Sequence, residues 1–172
     1  MEELTMTTDL EKISFEDIPD DLKTPEICLE AVKQKGLALK YVPEALKTEA
    51  LCFEAMQHSG SALEYVPEQL RTEKICLAAV QVYGYALDYV PEAMKTEALC
   101  LAAVQNKESR IEARGKLTYY FQQTSSVLEY VPQEMKTKAI CLAAVRVNSY
   151  AIKYVPIKMK ATINKQVTGK EQ

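Results

Sequence analysis

Between Thr48 and Arg71 the apolar positions follow two rhythms, divided by a glycine and closed by a proline. In the first stretch Leu51, Cys52, Ala55 and Met56 fall at i, i+1, i+4 and i+5, the spacing of one helix face. Adding Phe53 widens the apolar arc to roughly 200°, more than an ordinary surface stripe, so this helix must touch neighbours on two sides. Thr48 stands where it can cap the helix, and Glu49 in the first turn suits its positive end. Gly60 then predicts a left-handed residue that ends it. The next stretch, SALEYV, places Ala62, Leu63, Tyr65 and Val66 on one side of a second, shorter helix. Pro67 closes that helix by disfavouring helical geometry at Val66. PEQL adds one more turn, tucking Leu70 inward, and Arg71 leads to the next threonine.

The same 24-residue pattern recurs. TPEICLEAVKQKGLALKYVPEALK starts at Thr24 and TEKICLAAVQVYGYALDYVPEAMK at Thr72. A fourth unit opens as TEALCLAAVQN at Thr96 and resumes as TSSVLEYVPQEMK at Thr124, and a fifth, TKAICLAAVRVNSYAIKYVPIKMK, starts at Thr137. Repetition at a fixed short period predicts stacked units, each burying its apolar face on its neighbours. The expected fold is all-α: one α-solenoid domain over residues 1–172. It has an N-terminal cap (1–23), five long-helix/short-helix repeats (24–160) and a C-terminal cap and tail (161–172).

Stacking turns positions into columns. Cys28, Cys52, Cys76, Cys100 and Cys141 form one. Helices in contact lie about 8–10 Å apart, beyond the reach of a disulfide, and zinc ligands pair at much shorter spacing. The thiols therefore read as small buried apolar groups in a reducing compartment, with no metal and no cofactor. Tyr41, Tyr65, Tyr89, Tyr130 and Tyr154 form a second column, read as core with hydroxyls reaching a backbone carbonyl or water. Lys23, Lys47, Arg71, Lys95, Lys136 and Lys160 form a cationic row, and Glu44, Glu68 and Glu92 an acidic row close by. Interleaved in this way, the two rows suggest a solvated, self-compensating face; a phosphate-tracking stripe is the alternative.

At the ends the pattern changes. LEKISFEDIPDDLK, residues 10–23, is a half-unit with Asp17 at the tyrosine place. Lys165 stands where a sixth cysteine would fall, in ATINKQVTGKEQ, which suits a polar cap and a loose tail. Residues 107–123, KESRIEARGKLTYYFQQ, interrupt the fourth unit between its two helices. Insertions in solenoids map to loops on one face, often the binding face. Arg110, Arg114, Lys116, Tyr119, Tyr120 and Phe121 supply cationic and aromatic groups, and Arg and Tyr are enriched at interface hot spots. RIEAR and LTYYF around Gly115 fit a β-hairpin, or two helices broken near the glycine.

Charge and composition narrow the function. The net charge of -3 over 172 residues argues against general adhesion to nucleic acid or membrane. Residues 1–26 hold nine acids against two lysines, and residues 136–172 hold eight bases against one glutamate. Such an acidic head and basic tail allow head-to-tail self-association, or an end (Lys158, Lys160, Lys165) that selects a charged partner. MEELTMTTDL has neither the basic region nor the apolar core of a signal peptide, and no apolar run approaches a membrane span. A cytoplasmic location, or a host cytosol for an effector, is expected. The one histidine, His58, reads as an exposed helix-end residue. No nucleophile motif, phosphate loop or metal spacing is present, so the chain is not expected to be an enzyme.

The unit CLxAVxxxGxALxYVPExxKT closely resembles a bacterial and protist repeat family catalogued as domain of unknown function 4116, over about residues 10–160. Ser125 and Ser149 depart from its glycine, with Asn148 able to take the left-handed place. The resemblance implies an all-helical repeat module found in larger proteins, secreted bacterial effectors and mobile-element genes, and it carries over no catalytic residue. The period also resembles the leucine-rich variant repeats, which alternate long and short helices. The expected function is a non-catalytic protein-binding module, an adaptor or an inhibitor of effector or phage counter-defence type. It would bind through the solenoid face and the insertion. The alternative is nucleic-acid association through the basic end and the Lys/Arg column.

Overall fold

Five threonines set the start of five helices. The computed structural model describes residues 14–106 and 126–169. In it the hydroxyls of Thr24, Thr48, Thr72, Thr96 and Thr137 accept from the amides of Ile27, Leu51, Ile75, Leu99 and Ile140. These bonds satisfy one orphan donor at each helix start. The helices are α1 (Pro25–Gln34), α2 (Glu49–His58), α3 (Glu73–Val82), α4 (Glu97–Gln105) and α5 (Lys138–Val147). Pro25 occupies the first turn of α1, where its missing N–H costs nothing.

The second element of each unit is a 3-10 helix: Gly36–Tyr41, Gly60–Tyr65, Gly84–Tyr89, Val127–Tyr130 and Ser149–Tyr154. Its tight winding follows from its boundaries. Val66, for example, is held extended ahead of Pro67 at φ −79° and ψ 126°. So short a segment cannot sustain α-helix nucleation, and 3-10 geometry suits such connectors. One further 3-10 turn follows each of five prolines, at Asp20–Leu22 in the cap and at Glu44–Leu46, Glu68–Leu70, Glu92–Met94 and Gln133–Met135 in the units.

Each long helix packs on the next, α1 through α5, and the 3-10 helices stack in the same order as a second layer. No strand occurs among the described residues, and the architecture is an all-α repeat solenoid. The core lies between the layers. All five cysteines are fully buried in it, with Leu39, Leu63, Leu87 and Leu128 from the 3-10 layer. Burial pushes the Cys52 and Cys100 thiols up to about 11, as expected of inert apolar fillers.

The glycines correct the sequence reading. Gly36, Gly60 and Gly84 are not left-handed; among the described residues only Gly169 has positive φ, at 64°. Gly36 and Gly60 are instead buried under the next long helix. A Cβ on Gly36 would stand 2.6 Å from the Ala55 carbonyl oxygen, and one on Gly60 2.2 Å from that of Ala79. Asn148 is likewise extended, at φ −142°, so it takes no left-handed role.

The last unit departs from the others after its proline. Instead of a single 3-10 turn, α6 runs without a break over Ile157–Thr168 and ends at left-handed Gly169. It packs on α5 and buries Ile163.

Candidate protein-binding face

Four members of the cationic row reach into the structure. Lys23 Nζ donates to the Tyr41 carbonyl at 2.8 Å, Lys47 to that of Tyr65 at 3.0 Å, and Lys95 to that of Tyr130 at 3.3 Å. Arg71 reaches the Tyr89 carbonyl at 2.7 Å and the Val66 carbonyl at 3.0 Å. Each cation thus crosses to the next unit and satisfies a carbonyl at the end of its 3-10 helix. The three lysine side chains are only 5–6% exposed, and each also meets an exposed carboxylate three residues earlier: Asp20, Glu44 or Glu92. Glu44 and Glu92 of the acidic row do pair with the cations and stay exposed, whereas the lysines themselves are buried. A phosphate-tracking stripe requires exposed cations, and Lys23, Lys47 and Lys95 are engaged within the fold. Lys47→Met keeps the apolar stem and removes the ammonium. The expected loss is about 1.5–3 kcal/mol, the range for hydrogen bonds to charged groups. A lower urea midpoint at constant slope would show it; an unmoved midpoint would mean that the lysine does not tie the units.

The tyrosine column occupies the 3-10 layer. All five tyrosines are half-buried, and Tyr65, Tyr89, Tyr130 and Tyr154 pack on the core. Carboxylates act on the phenols of this column. Hydrogen bonding to Glu16 raises the Tyr41 phenol. The same interaction with Glu129 pushes Tyr154 up to about 12. Burial raises Tyr65, Tyr89 and Tyr130, with further contributions from Glu64, Asp88 and Glu129. Two more tyrosines extend the aromatic surface. Tyr83 and Tyr85 lie 5.6 Å apart, and Tyr85 meets Tyr130 edge-on at 6.2 Å.

The acids beside these rings escaped the sequence reading. Glu64, Asp88 and Glu129 stand just before Tyr65, Tyr89 and Tyr130, Glu16 just before Asp17 at the tyrosine place of the cap, and Lys40 and Lys153 hold the same position before Tyr41 and Tyr154. The signal was present, since this position changes charge while the flanking Leu and Tyr-Val-Pro hardly vary. At the N-terminal end of the face lies a cleft of about 520 Å³ lined by Phe15, Glu16, Lys35, Leu37, Tyr41 and Tyr65.

The insertion residues Arg110, Arg114, Lys116, Tyr119, Tyr120 and Phe121 lie outside the described residues. The framework on either side is anchored. The Asn106 amide donates to the Val80 and Gln81 carbonyls at 3.0 and 2.6 Å, and buried Ser126 accepts from the Leu128 amide at 3.3 Å. At the basic end Lys158 and Lys165 are exposed, whereas Lys160 turns back to the Lys153 carbonyl at 3.2 Å. His58 is exposed at the end of α2, 3.4 Å from Glu54. Among the described residues no helix is long and apolar enough to cross a membrane.

Stacked helix pairs tied by buried cations and carrying a ridge of tyrosines define a helical repeat scaffold. Residues 11–47 and 49–95 match the family model described as Domain of unknown function (DUF4116), so these segments are repeats of the kind that family describes. The first match takes in the N-terminal cap and first unit, the second the next two units. No curated protein and no solved structure matches.

Proposed function

We propose that this chain is a non-catalytic protein-binding solenoid, an adaptor or an inhibitor of effector or phage counter-defence type acting in a cytosol. It takes its partner on the tyrosine face of the 3-10 layer and through the 107–123 insertion. The observation that carries this reading is the column of half-exposed tyrosines on a framework whose units are locked together. Large amphipathic rings held rigid make contact area at little cost in entropy. Nucleic-acid association is the weaker reading, because Lys23, Lys47 and Lys95 are buried and engaged. The acidic head and basic tail leave room for head-to-tail contact between copies.

Deleting residues 107–123 restores the 24-residue period, and the flanking Asn106 and Ser126 are anchored in the framework. The variant is expected to keep the melting profile of the full chain and to lose partner binding at least tenfold in side-by-side affinity capture. Undiminished capture by the deletion variant would remove the insertion from the interface.

A further inference from the structure

Two units show what the tyrosine rings hold. In the first, Lys40 Nζ stands 5.4 Å from the Tyr41 ring centroid; in the fifth, Lys153 Nζ stands 5.3 Å from that of Tyr154. Both lysines occupy the position just before the tyrosine. An ammonium within about 6 Å of a ring centroid is attracted by the negative face of the π-system. The end units therefore fill their own ring with a cation of the chain.

The three middle units reverse the charge at that position, to Glu64, Asp88 and Glu129, and all three carboxylates are exposed. Among the described residues no cation lies over Tyr65, Tyr89 or Tyr130. Tyr89 feels the charge of both Glu64 and Asp88, and Tyr130 that of both Asp88 and Glu129. Each middle ring thus has a negative π-face and feels the carboxylate of its own unit, and Tyr89 and Tyr130 feel that of the unit before as well. Tyr41 and Tyr154 also feel a carboxylate, Glu16 and Glu129, but carry a lysine over the ring as well; the middle rings have the carboxylate without the cation.

We infer that Tyr65, Tyr89 and Tyr130, with Glu64, Asp88 and Glu129, form a row of seats for the Lys or Arg side chains of an extended basic segment of a partner protein. The inference rests on the reading that this face binds protein, and it names the chemistry of the partner. Arginine fits best, because its planar fork stacks on a ring and pairs with a carboxylate at once. Packed units are spaced about 8–10 Å apart, and a segment extended as a polyproline II helix turns once every three residues and advances about 3.1 Å per residue. Cations at every third residue of such a partner lie on one side about 9 Å apart and therefore meet successive seats. The same carboxylates repel phosphate, which excludes nucleic acid from this face.

The test uses the full chain and three labelled nine-residue peptides in fluorescence anisotropy at physiological salt. The first carries arginine at every third position among serines and glycines. The second has the same composition with the arginines adjacent, and the third has glutamate in place of arginine. The key variant combines Glu64→Lys, Asp88→Lys and Glu129→Lys. It installs in the middle units the residue that the end units already carry, so the fold is expected to hold, and a thermal melt checks it. The expected result is binding of the spaced arginine peptide, weaker binding of the adjacent form, none of the glutamate form, and at least a tenfold loss in the triple variant. Tyr89→Phe, which keeps the ring, is expected to bind within about threefold of the parent. Equal binding of the spaced and adjacent peptides, or no loss in a folded triple variant, overturns the row of seats. Binding of the glutamate peptide also overturns it but leaves the protein-binding reading standing. Failure of all three peptides to bind overturns the seats together with the reading that this face takes an extended protein segment.

Discussion

Val80→Asp is expected to unfold the middle of the stack. Val80 is fully buried near the end of α3, in the layer between α2 and α4. The buried cations that serve as ties sit at the opposite end of the long helices, next to the threonine caps, so none is placed to pair with a carboxylate there. A carboxyl group at this position must either stay charged without a partner or take up a proton and remain poorly hydrogen-bonded. Either way the cost is several kcal/mol, against about 5–15 kcal/mol for an entire domain. The architecture amplifies the loss. In a linear stack each unit is held by its two neighbours, so one ruptured unit removes two interfaces. Circular dichroism is expected to show lost cooperativity and a melt lowered by 10 °C or more, since about 1 kcal/mol shifts the melt of a domain this size by a few degrees. Val80→Ala, which leaves a cavity without a charge, is expected to melt between the parent and the aspartate variant. A melting curve for Val80→Asp that overlays the parent would contradict the burial of the whole column to which Val80 belongs.

How much of this was legible in the sequence depends on whether a feature is local or crosses between units. The long helices were legible, because a threonine cap, an acid in the first turn and apolar residues at helical spacing lie within ten residues of one another. The cysteine column was legible as well, since identical positions in stacked units must meet identical surroundings. The 3-10 winding was not, because apolar spacing over six residues fits either helix and the choice is made by the glycine and proline at its edges. The role of Lys47 was hidden for a different reason. Its acceptor, the Tyr65 carbonyl, lies 18 residues further on, and a backbone carbonyl leaves no mark in a sequence. The lysine row looked like surface because lysine usually is surface. At the candidate face the tyrosines were found but placed too deep, and the alternating charge before them went unread. Only the stacked geometry shows that the acid of one unit stands beside the ring of the next.

Gly60→Ala is expected to destabilise the chain, with a sign opposite to the usual one. Where backbone geometry permits alanine, replacing glycine stabilises by about 0.4–1 kcal/mol, because the unfolded chain loses freedom. Gly60 meets that backbone condition, since its φ is not positive. Space, not conformation, sets the outcome. The added Cβ would lie 2.2 Å from the Ala79 carbonyl oxygen and 2.8 Å from the Tyr83 Cβ, both fixed by α3 and its end. Neither atom is the tip of a flexible side chain, so the two units must move apart. Overpacking of this kind costs about 1–3 kcal/mol and sometimes more; with backbone as the obstacle we expect about 2–4 kcal/mol, read from urea midpoints. Gly169→Ala supplies the contrast. It has nothing within 4 Å of the new Cβ but a left-handed φ of 64°, and should cost only about 1–2 kcal/mol through strain. The fifth unit agrees with this account: Ser149 takes the glycine place there and is exposed. If Gly60→Ala instead raised the midpoint, α2 and α3 would not approach as closely as the buried glycine requires, and the spacing of the seats along the tyrosine face would have to be larger.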